Sequence, residues 1–295
     1  MNVTRVYGIL AHPAGHSLSP AIFNAAFTEM GIDAKYEIFD VESLDKYEVE
    51  NSKFWQNLNP NLAGLSVSLP YKQSVIEFLD DVSEDVRAIG ACNTVKIADI
   101  QNDDGGVKKI AIGFNTDCFG FMESLKEKIA SVKDLNVIVL GAGGAARAIV
   151  YGLVKEDAKV VVLNRTVEKA AKIAKDFSKL CEGGRIVPVQ FGRLDEIENF
   201  KCDVLVQATA VWLDEKEADF NFVSEEFLQK NEPVVFDIVY KPLITPLLQM
   251  AIDNGCDIIT GEKMLLNQAV KQFEIWFGEK APKDIMSKAL NKLIA

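Results

Sequence analysis

The heptapeptide Gly141-Ala142-Gly143-Gly144-Ala145-Ala146-Arg147, set directly behind the apolar run 136–140, restricts this chain more than any other stretch. The apolar run reads as a buried parallel strand, and a helical pattern follows the glycines to about residue 154. Gly141 permits a tight strand-to-helix turn. Gly143, followed by Gly144 and Ala145, lets a pyrophosphate approach the backbone amides at the helix N-terminus, and Ala146 is small enough for the helix to pack on its strand. The same letters could make a Gly-rich turn with no ligand. Here, however, they follow a strand, open a helix and precede a second strand over 159–163, which is the context of a dinucleotide-binding βαβ unit.

The end of that second strand bears on which dinucleotide. NAD-binding units place Asp or Glu about 20 residues past the glycines to accept a bond from the ribose 2′-OH. This chain has Asn164-Arg165-Thr166 there, with Lys169 one helical turn further on. No carboxylate at 164–166 repels a 2′-phosphate, and two cations stand ready to bind one, so NADP (NADPH) is favoured over NAD. A solvated Arg and Lys opening an ordinary helix would look the same.

The βα alternation continues past this unit, with strands over 185–189, 203–206, 234–239 and 257–260 and helices over 167–180 and 245–254. A polar excursion covers 214–221. Such alternation specifies an α/β fold, a Rossmann-type doubly wound parallel sheet covered on both faces. Upstream, strands are predicted over 6–11, 35–40, 62–67, 91–98 and 107–114, the last two joined by a hairpin turn at 102–106. A loosely helical stretch covers 44–58. A helix over 118–129 leads into the dinucleotide unit, which puts a domain boundary near residue 115. Two terminal helices, 262–277 and 283–293, either extend the second domain or return to the first.

With 295 residues the chain is long enough for two such domains. Its net charge of −11, with no basic tail or stripe, argues against nucleic acid as a partner. No apolar run approaches the ~20 residues that span a bilayer, and the N-terminus lacks signal-peptide features. The expectation is a cytoplasmic protein acting on a small molecule, with no membrane partner, as a monomer or homodimer. Five scattered cysteines with no CxxC pair read as reduced thiols, and no metal site is expected. The only histidines, His12 and His16, lie on an N-terminal loop. Proton chemistry in the body of the chain therefore falls to Lys, Asp, Glu, Tyr or Cys.

Two upstream segments carry candidate chemistry. In the loop 12–18, Ser17 precedes Ser19-Pro20, where Ser19 reads as a helix N-cap with Pro20 at the first helical position. Ser17 and Ser19 together beside a helix N-terminus also make a carboxylate-binding nest. Further on, Pro70 reads as opening a helix over 71–79, which sets Lys72 in a first turn. A cation there is disfavoured by the helix dipole, and this eases its deprotonation for acid–base work. A solvated surface lysine fits the same pattern. Asn93, Asn115 and Asp117 fall at strand ends, where side chains meet a cleft.

Taken together these segments resemble the shikimate dehydrogenases, in the same order over nearly the whole chain. Residues 15–20 resemble the family's substrate-carboxylate loop, 70–72 its catalytic lysine motif, 89–94 a third substrate segment and 113–120 its catalytic aspartate motif. Residues 141–147 and 164–166 match its NADP loops, and 237–242 and 261–268 its two late motifs. The resemblance implies reversible reduction of 3-dehydroshikimate to shikimate with NADPH, in aromatic biosynthesis. Lys72 would be the general acid, with Asp117 hydrogen-bonded beside it. Ser17 and Ser19 would hold the carboxylate. Ser68, Asn93, Asp117 and Gln268 would meet the ring hydroxyls, with Tyr240 closing on the substrate. Thr209 and Gly261 join Gly141, Gly143, Gly144, Ala145, Asn164, Arg165, Thr166 and Lys169 on the cofactor side. The implied architecture is a substrate domain of 1–114, completed by 262–295, an NADP-binding domain of 115–261, and a cleft that closes around the ligands.

The chain departs from the family pattern at three places. Ser66-Val67-Ser68 stands where the family reads Asn-Val-Thr, which forfeits an amide and costs on the order of 1 kcal/mol or more in substrate binding. Gln207-Ala208-Thr209-Ala210-Val211-Trp212 replaces Asn-Ala-Thr-Ser-x-Gly, and Phe23 replaces a His and reads as core. Room left by Ser66 would permit an alternative substrate such as quinate or an amino-shikimate. A non-catalytic dinucleotide-binding protein is a second alternative. A methylene-tetrahydrofolate dehydrogenase shares the architecture but fits the serine loop and Asn115-Thr116-Asp117 less well.

Overall fold

The structure, a computed structural model, describes residues 4–44, 51–101, 106–180, 186–190, 200–209 and 223–294. The hairpin turn at 102–105, the polar excursion at 214–221 and Trp212 lie outside the described residues. The chain divides into one unit of residues 1–116 with 268–293 and a second of residues 117–267.

In the first unit, β1 (Arg5–Ala11), β2 (Ala34–Asp40), β3 (Leu62–Val67), β4 (Asp81–Val82), β5 (Thr94–Gln101) and β6 (Val107–Phe114) form one sheet in the order β2-β1-β3-β5-β6-β4. β1 runs parallel to β2 and β3, whereas β5 runs antiparallel to both β3 and β6. The C-terminal ends of β1, β3 and β6 therefore share one edge with the N-terminal end of β5. In register along that edge, Leu10 faces Val67, Ser66 faces Thr94, and Thr94 faces Phe114.

Period-two alternation splits β1 between two cores. Val6 and Leu10 join Phe54 of α2 (Asn51–Leu58), Leu65, Val75 and Phe78 on one face. Tyr7 points the other way, its ring 5.4, 5.0 and 5.1 Å from those of Phe27, Trp276 and Phe277. The last two rings end α9 (Gly261–Phe277), so this helix covers the second face. It is held closely. A Cβ on Gly64 would stand 2.6 Å from Trp276 Nε1, which itself donates to the Val95 carbonyl at 3.0 Å. Lys96 Nζ donates to the Ile275 carbonyl at 2.8 Å, satisfying one of the open carbonyls of the helix end.

In the second unit, β7 (Asn136–Leu140), β8 (Lys159–Asn164), β9 (Ile186–Gln190), β10 (Val204–Gln207), β11 (Val234–Asp237) and β12 (Ile258–Ile259) are all parallel, in the order β12-β11-β10-β7-β8-β9. Strand order reverses between β7 and β10, and the loops leaving these two strands flank the resulting crevice. α4 (Asp117–Leu125), α5 (Gly144–Lys155), α6 (Val167–Asp176), α7 (Glu225–Asn231) and α8 (Pro246–Asp253) complete the unit.

Several local expectations are corrected. Ser19 does not cap α1 (Ser19–Glu29): the backbone is already helical at Leu18, so no extended cap residue presents an oxygen, and Ser17 Oγ instead accepts the Ser19 N–H at 3.3 Å. No α-helix covers 71–79. The chain makes turns and then a 3₁₀ helix, Ser74–Phe78, because Val75 and Phe78, three apart, are the residues it buries. The helix-dipole argument for Lys72 loses its basis there. β5 begins at Thr94, not at residue 91, and α6 stops at Asp176. A short helix, α3 (Glu84–Ile89), went unread although Ser83 caps it through the Val86 N–H.

Candidate active site

Four backbone bonds draw the loops at the first unit's sheet edge together. Ser68 N–H donates to Leu10 O at 2.9 Å and His12 N–H to Leu69 O at 3.0 Å, joining the serine loop to the lysine segment. Val67 N–H donates to Asn93 O at 2.7 Å and Cys92 N–H to Lys72 O at 2.6 Å, which fixes the backbone of Lys72 beside that of Asn93. The serine loop is also held from β2. Asp40 accepts from Ala14 N–H at 3.1 Å and pairs with His12 Nδ1 at 2.7 Å, and these bonds hold its carboxyl below the ordinary carboxylate range. Ser17, Ser19, Ser68, Lys72 and Asn93 thus occupy connected loops of one edge.

Asn93 is 1% exposed and bonded at both ends of its amide. Its Oδ1 accepts from Thr116 N–H at 2.7 Å, and its Nδ2 donates to Thr116 Oγ1 and to Gln268 Oε1, both at 3.0 Å. Gln268 comes from α9, 175 residues later in the chain. Two of the ring-hydroxyl candidates therefore meet directly. Ser66 is 6% exposed. Its hydroxyl accepts from Tyr36 Oη and donates to Gln272 Oε1, each at 2.7 Å. Tyr36 is itself stacked on Phe23 at 4.7 Å and clamped by Asn24, which bonds both the Tyr36 N–H and carbonyl. The departures at Phe23 and Ser66 meet on this one tyrosine, and Gln272 brings an amide to the place where residue 66 lacks one.

In the second unit the glycines differ in what demands them. Gly141 has φ +112°, and a Cβ there would stand 2.8 Å from Ala208 O. Gly143 caps α5 with no side-chain bond, and nothing lies within 4 Å of where its Cβ would be. That open cradle lies over the first amides of α5, which have no partner within the helix, and it fits a dinucleotide's phosphates. Asn164, Arg165, Thr166 and Lys169 follow at the end of β8 and the start of α6. Asn164 Nδ2 donates to Thr166 O at 2.8 Å, and Thr166 caps α6 without using its hydroxyl. Thr209 is held by Gln207, whose buried amide accepts the Thr209 N–H at 2.8 Å and donates to its carbonyl at 3.3 Å.

Asp117, 1% exposed, opens α4. Tyr240 lies in the loop after β11, and burial pushes its phenol above the ordinary value. That loop is anchored by Asp237, fully buried, which accepts from Val239 N–H at 2.9 Å and Thr245 Oγ1 at 2.7 Å. Burial outweighs both bonds and pushes its carboxyl up to about 6. Gly261 is required by packing, since a Cβ would stand 2.4 Å from Val239 O. Among the described residues, no cluster of His, Cys, Asp or Glu is arranged to hold a metal, and no helix is long and apolar enough to cross a membrane.

Residues 9–95 match the family model for the shikimate dehydrogenase substrate binding domain, 123–238 that for shikimate/quinate 5-dehydrogenase, and 261–290 that for the shikimate 5′-dehydrogenase C-terminal domain. A shikimate dehydrogenase (NADP(+)) of Methanobrevibacter smithii is 37% identical over 298 residues, covering 99% of this chain and 98% of its own. This chain belongs to the shikimate dehydrogenase family. The fold agrees. A crystal structure of a shikimate dehydrogenase in complex with NADP+ is 34% identical with a TM-score of 0.83, covering 99% of this chain and 96% of that one. A quinate dehydrogenase from Corynebacterium glutamicum in complex with NAD is 26% identical with a TM-score of 0.82, covering 99% and 100%.

Tyr36 and Gln272 are the residues of this bonded network that sequence reasoning missed. Only Gln272 left a legible signal: it lies four residues past Gln268 on one helix, so both amides point to the same face. Tyr36 reads as an ordinary core residue of an alternating strand.

Proposed function

We propose that this chain is an NADP-dependent shikimate dehydrogenase that reversibly reduces 3-dehydroshikimate to shikimate in aromatic biosynthesis, in the cytoplasm. NADPH, when bound, supplies the hydride to the ring ketone. Lys72 delivers a proton to the ketone oxygen and recovers it in the reverse direction, and Asp117 is the carboxylate that works with it. Ser17 and Ser19 bind the substrate carboxylate, while Ser68, Asn93 and Gln268 take ring hydroxyls and Tyr240 adds its phenol. Gly141, Gly143, Gly144 and Ala145 form the pyrophosphate loop. Asn164, Arg165, Thr166 and Lys169 receive the 2′-phosphate end, and Thr209 and Gly261 border the nicotinamide side.

The observation that carries this reading is the full-length relationship to shikimate dehydrogenases that use NADP(+), with Lys72 and Asp117 both standing in their expected motifs. The commitment of the Ser66 hydroxyl to Tyr36 and Gln272 supports shikimate over a bulkier substrate. The test is initial-rate measurement of reduced-nicotinamide absorbance, with shikimate and quinate against NADP+ and NAD+. Shikimate with NADP+ is expected to be the fastest pair; faster turnover of quinate, or of NAD+, overturns the substrate or the cofactor assignment.

A further inference from the structure

We propose that Gln272 is a positioning residue: through a one-way hydrogen-bond relay it braces the Asn93 backbone and amide, and with them the Asn93–Gln268 pair that meets the substrate. The inference rests on the function proposed above and concerns its hydroxyl-binding pair.

Two backbone groups decide the direction of the relay. Gln272 Nε2 donates to Asn93 O at 3.1 Å, and a carbonyl can only accept, so Nε2 must be the end that faces it. That end also donates to Thr94 Oγ1 at 3.0 Å, which leaves Gln272 Oε1 turned toward Ser66. Likewise Thr116 N–H can only donate, so the Asn93 oxygen that it meets at 2.7 Å must be Oδ1. With both amides oriented, every hydroxyl between them has one consistent role. Tyr36 donates to Ser66, Ser66 to Gln272, Gln272 to Thr94, Thr94 to Asn93 at 2.8 Å, and Asn93 to Gln268.

Gln272 is 3% exposed, Ser66 6% and Thr94 0%, so no bulk water can substitute for a missing link. The consequence falls on Gln268. Its Oε1 is committed to Asn93, which leaves Nε2 as the end that can donate to a substrate. Gln268 therefore recognises a substrate oxygen acting as acceptor, and Gln272 supports that choice by holding the Asn93 carbonyl directly and the Asn93 amide through Thr94.

The test is steady-state kinetics on the full chain, with shikimate and NADP+, for the wild type, Gln272→Glu, Gln272→Ala and Tyr36→Phe. Glu keeps the size and one acceptor but cannot donate to Asn93 O or Thr94. Both Gln272 variants are expected to raise KM for shikimate about tenfold or more, with kcat within about threefold and KM for NADP+ unchanged. The pH dependence of kcat is expected to stay where it is. Tyr36→Phe, which removes only the first donor, raises shikimate KM about twofold in the same direction. An unchanged shikimate KM, or a parallel rise of both KM values with a lowered Tm, overturns the inference. If neither Gln272 variant folds, Tyr36→Phe decides. A wild type inactive on shikimate refutes the proposed function and this inference with it; an active wild type with indifferent variants refutes the inference alone.

Discussion

Gly141 and Ala208 come within contact distance across the crevice between β7 and β10: a Cβ on Gly141 would stand 2.8 Å from the Ala208 carbonyl oxygen. The loop after β7 therefore rests on the loop after β10, and Gly141 adopts φ +112° to do so. Gly143, two residues on, has ordinary extended geometry and open space above it.

The two glycines should fail differently. Gly141→Ala is expected to lose about 2 kcal/mol or more of stability, from strain at positive φ and the clash with Ala208, read as a lowered denaturant midpoint. Gly143→Ala is expected to stay within about 0.5 kcal/mol of wild type while raising KM for NADP+, because only the phosphates approach there. Equal stability loss in both would show that openness above Gly143 has no bearing on the cofactor.

Lys72→Met is expected to reduce kcat for shikimate oxidation by about 10²–10⁴-fold, the range of a lost general acid–base group. Its backbone bond to Cys92 N–H survives the change, so Tm should hold. A variant with near-wild-type kcat would remove Lys72 from the proton transfer.

Arg165 is exposed on the turn that follows β8, and Lys169 is exposed in the first turn of α6. Substituting either by Ala should raise KM for NADP+ about tenfold and leave KM for NAD+ almost unchanged, since only NADP+ carries the 2′-phosphate. The NADP+/NAD+ ratio of kcat/KM is the quantity to measure, and an unaltered ratio would count against both residues.

Asp237 should make stability fall as pH rises. Its carboxyl is held at about 6 in the folded chain against an ordinary 3.8. Between those values the folded chain binds a proton that the unfolded chain has released. The stabilisation is complete below the unfolded value and is lost as pH rises through the folded one. The shift from 3.8 to about 6 corresponds to on the order of 3 kcal/mol. Asp237→Asn removes this titration, so the Tm of the wild type should decline relative to that of the variant from about pH 4 to about pH 7. Parallel Tm curves would show that Asp237 does not titrate in that window.

Much of this protein was legible before any coordinates. The five-residue strand at 136–140, the glycines behind it and the βα alternation after it are local patterns, and local sterics suffice to turn them into a parallel sheet with a helix N-terminus at a crevice. Short-range signals also placed Ser17, Lys72 and Asn93 near element ends. They failed where a neighbour's preference overrode them: the 71–79 segment coils as 3₁₀ because Val75 and Phe78 must both be buried, and Leu18 takes the cap position from Ser19. What only the tertiary structure decided is which polar groups bond to one another. Ser66 and Gln272, 206 residues apart in the chain, bond at 2.7 Å, and Gln272 reaches the Asn93 carbonyl at 3.1 Å. No periodicity carries that information, because a buried amide takes its orientation from partners that arrive by folding. The sequence alone determined that Ser66 lacks an amide; the fold determined that Gln272 brings one to it.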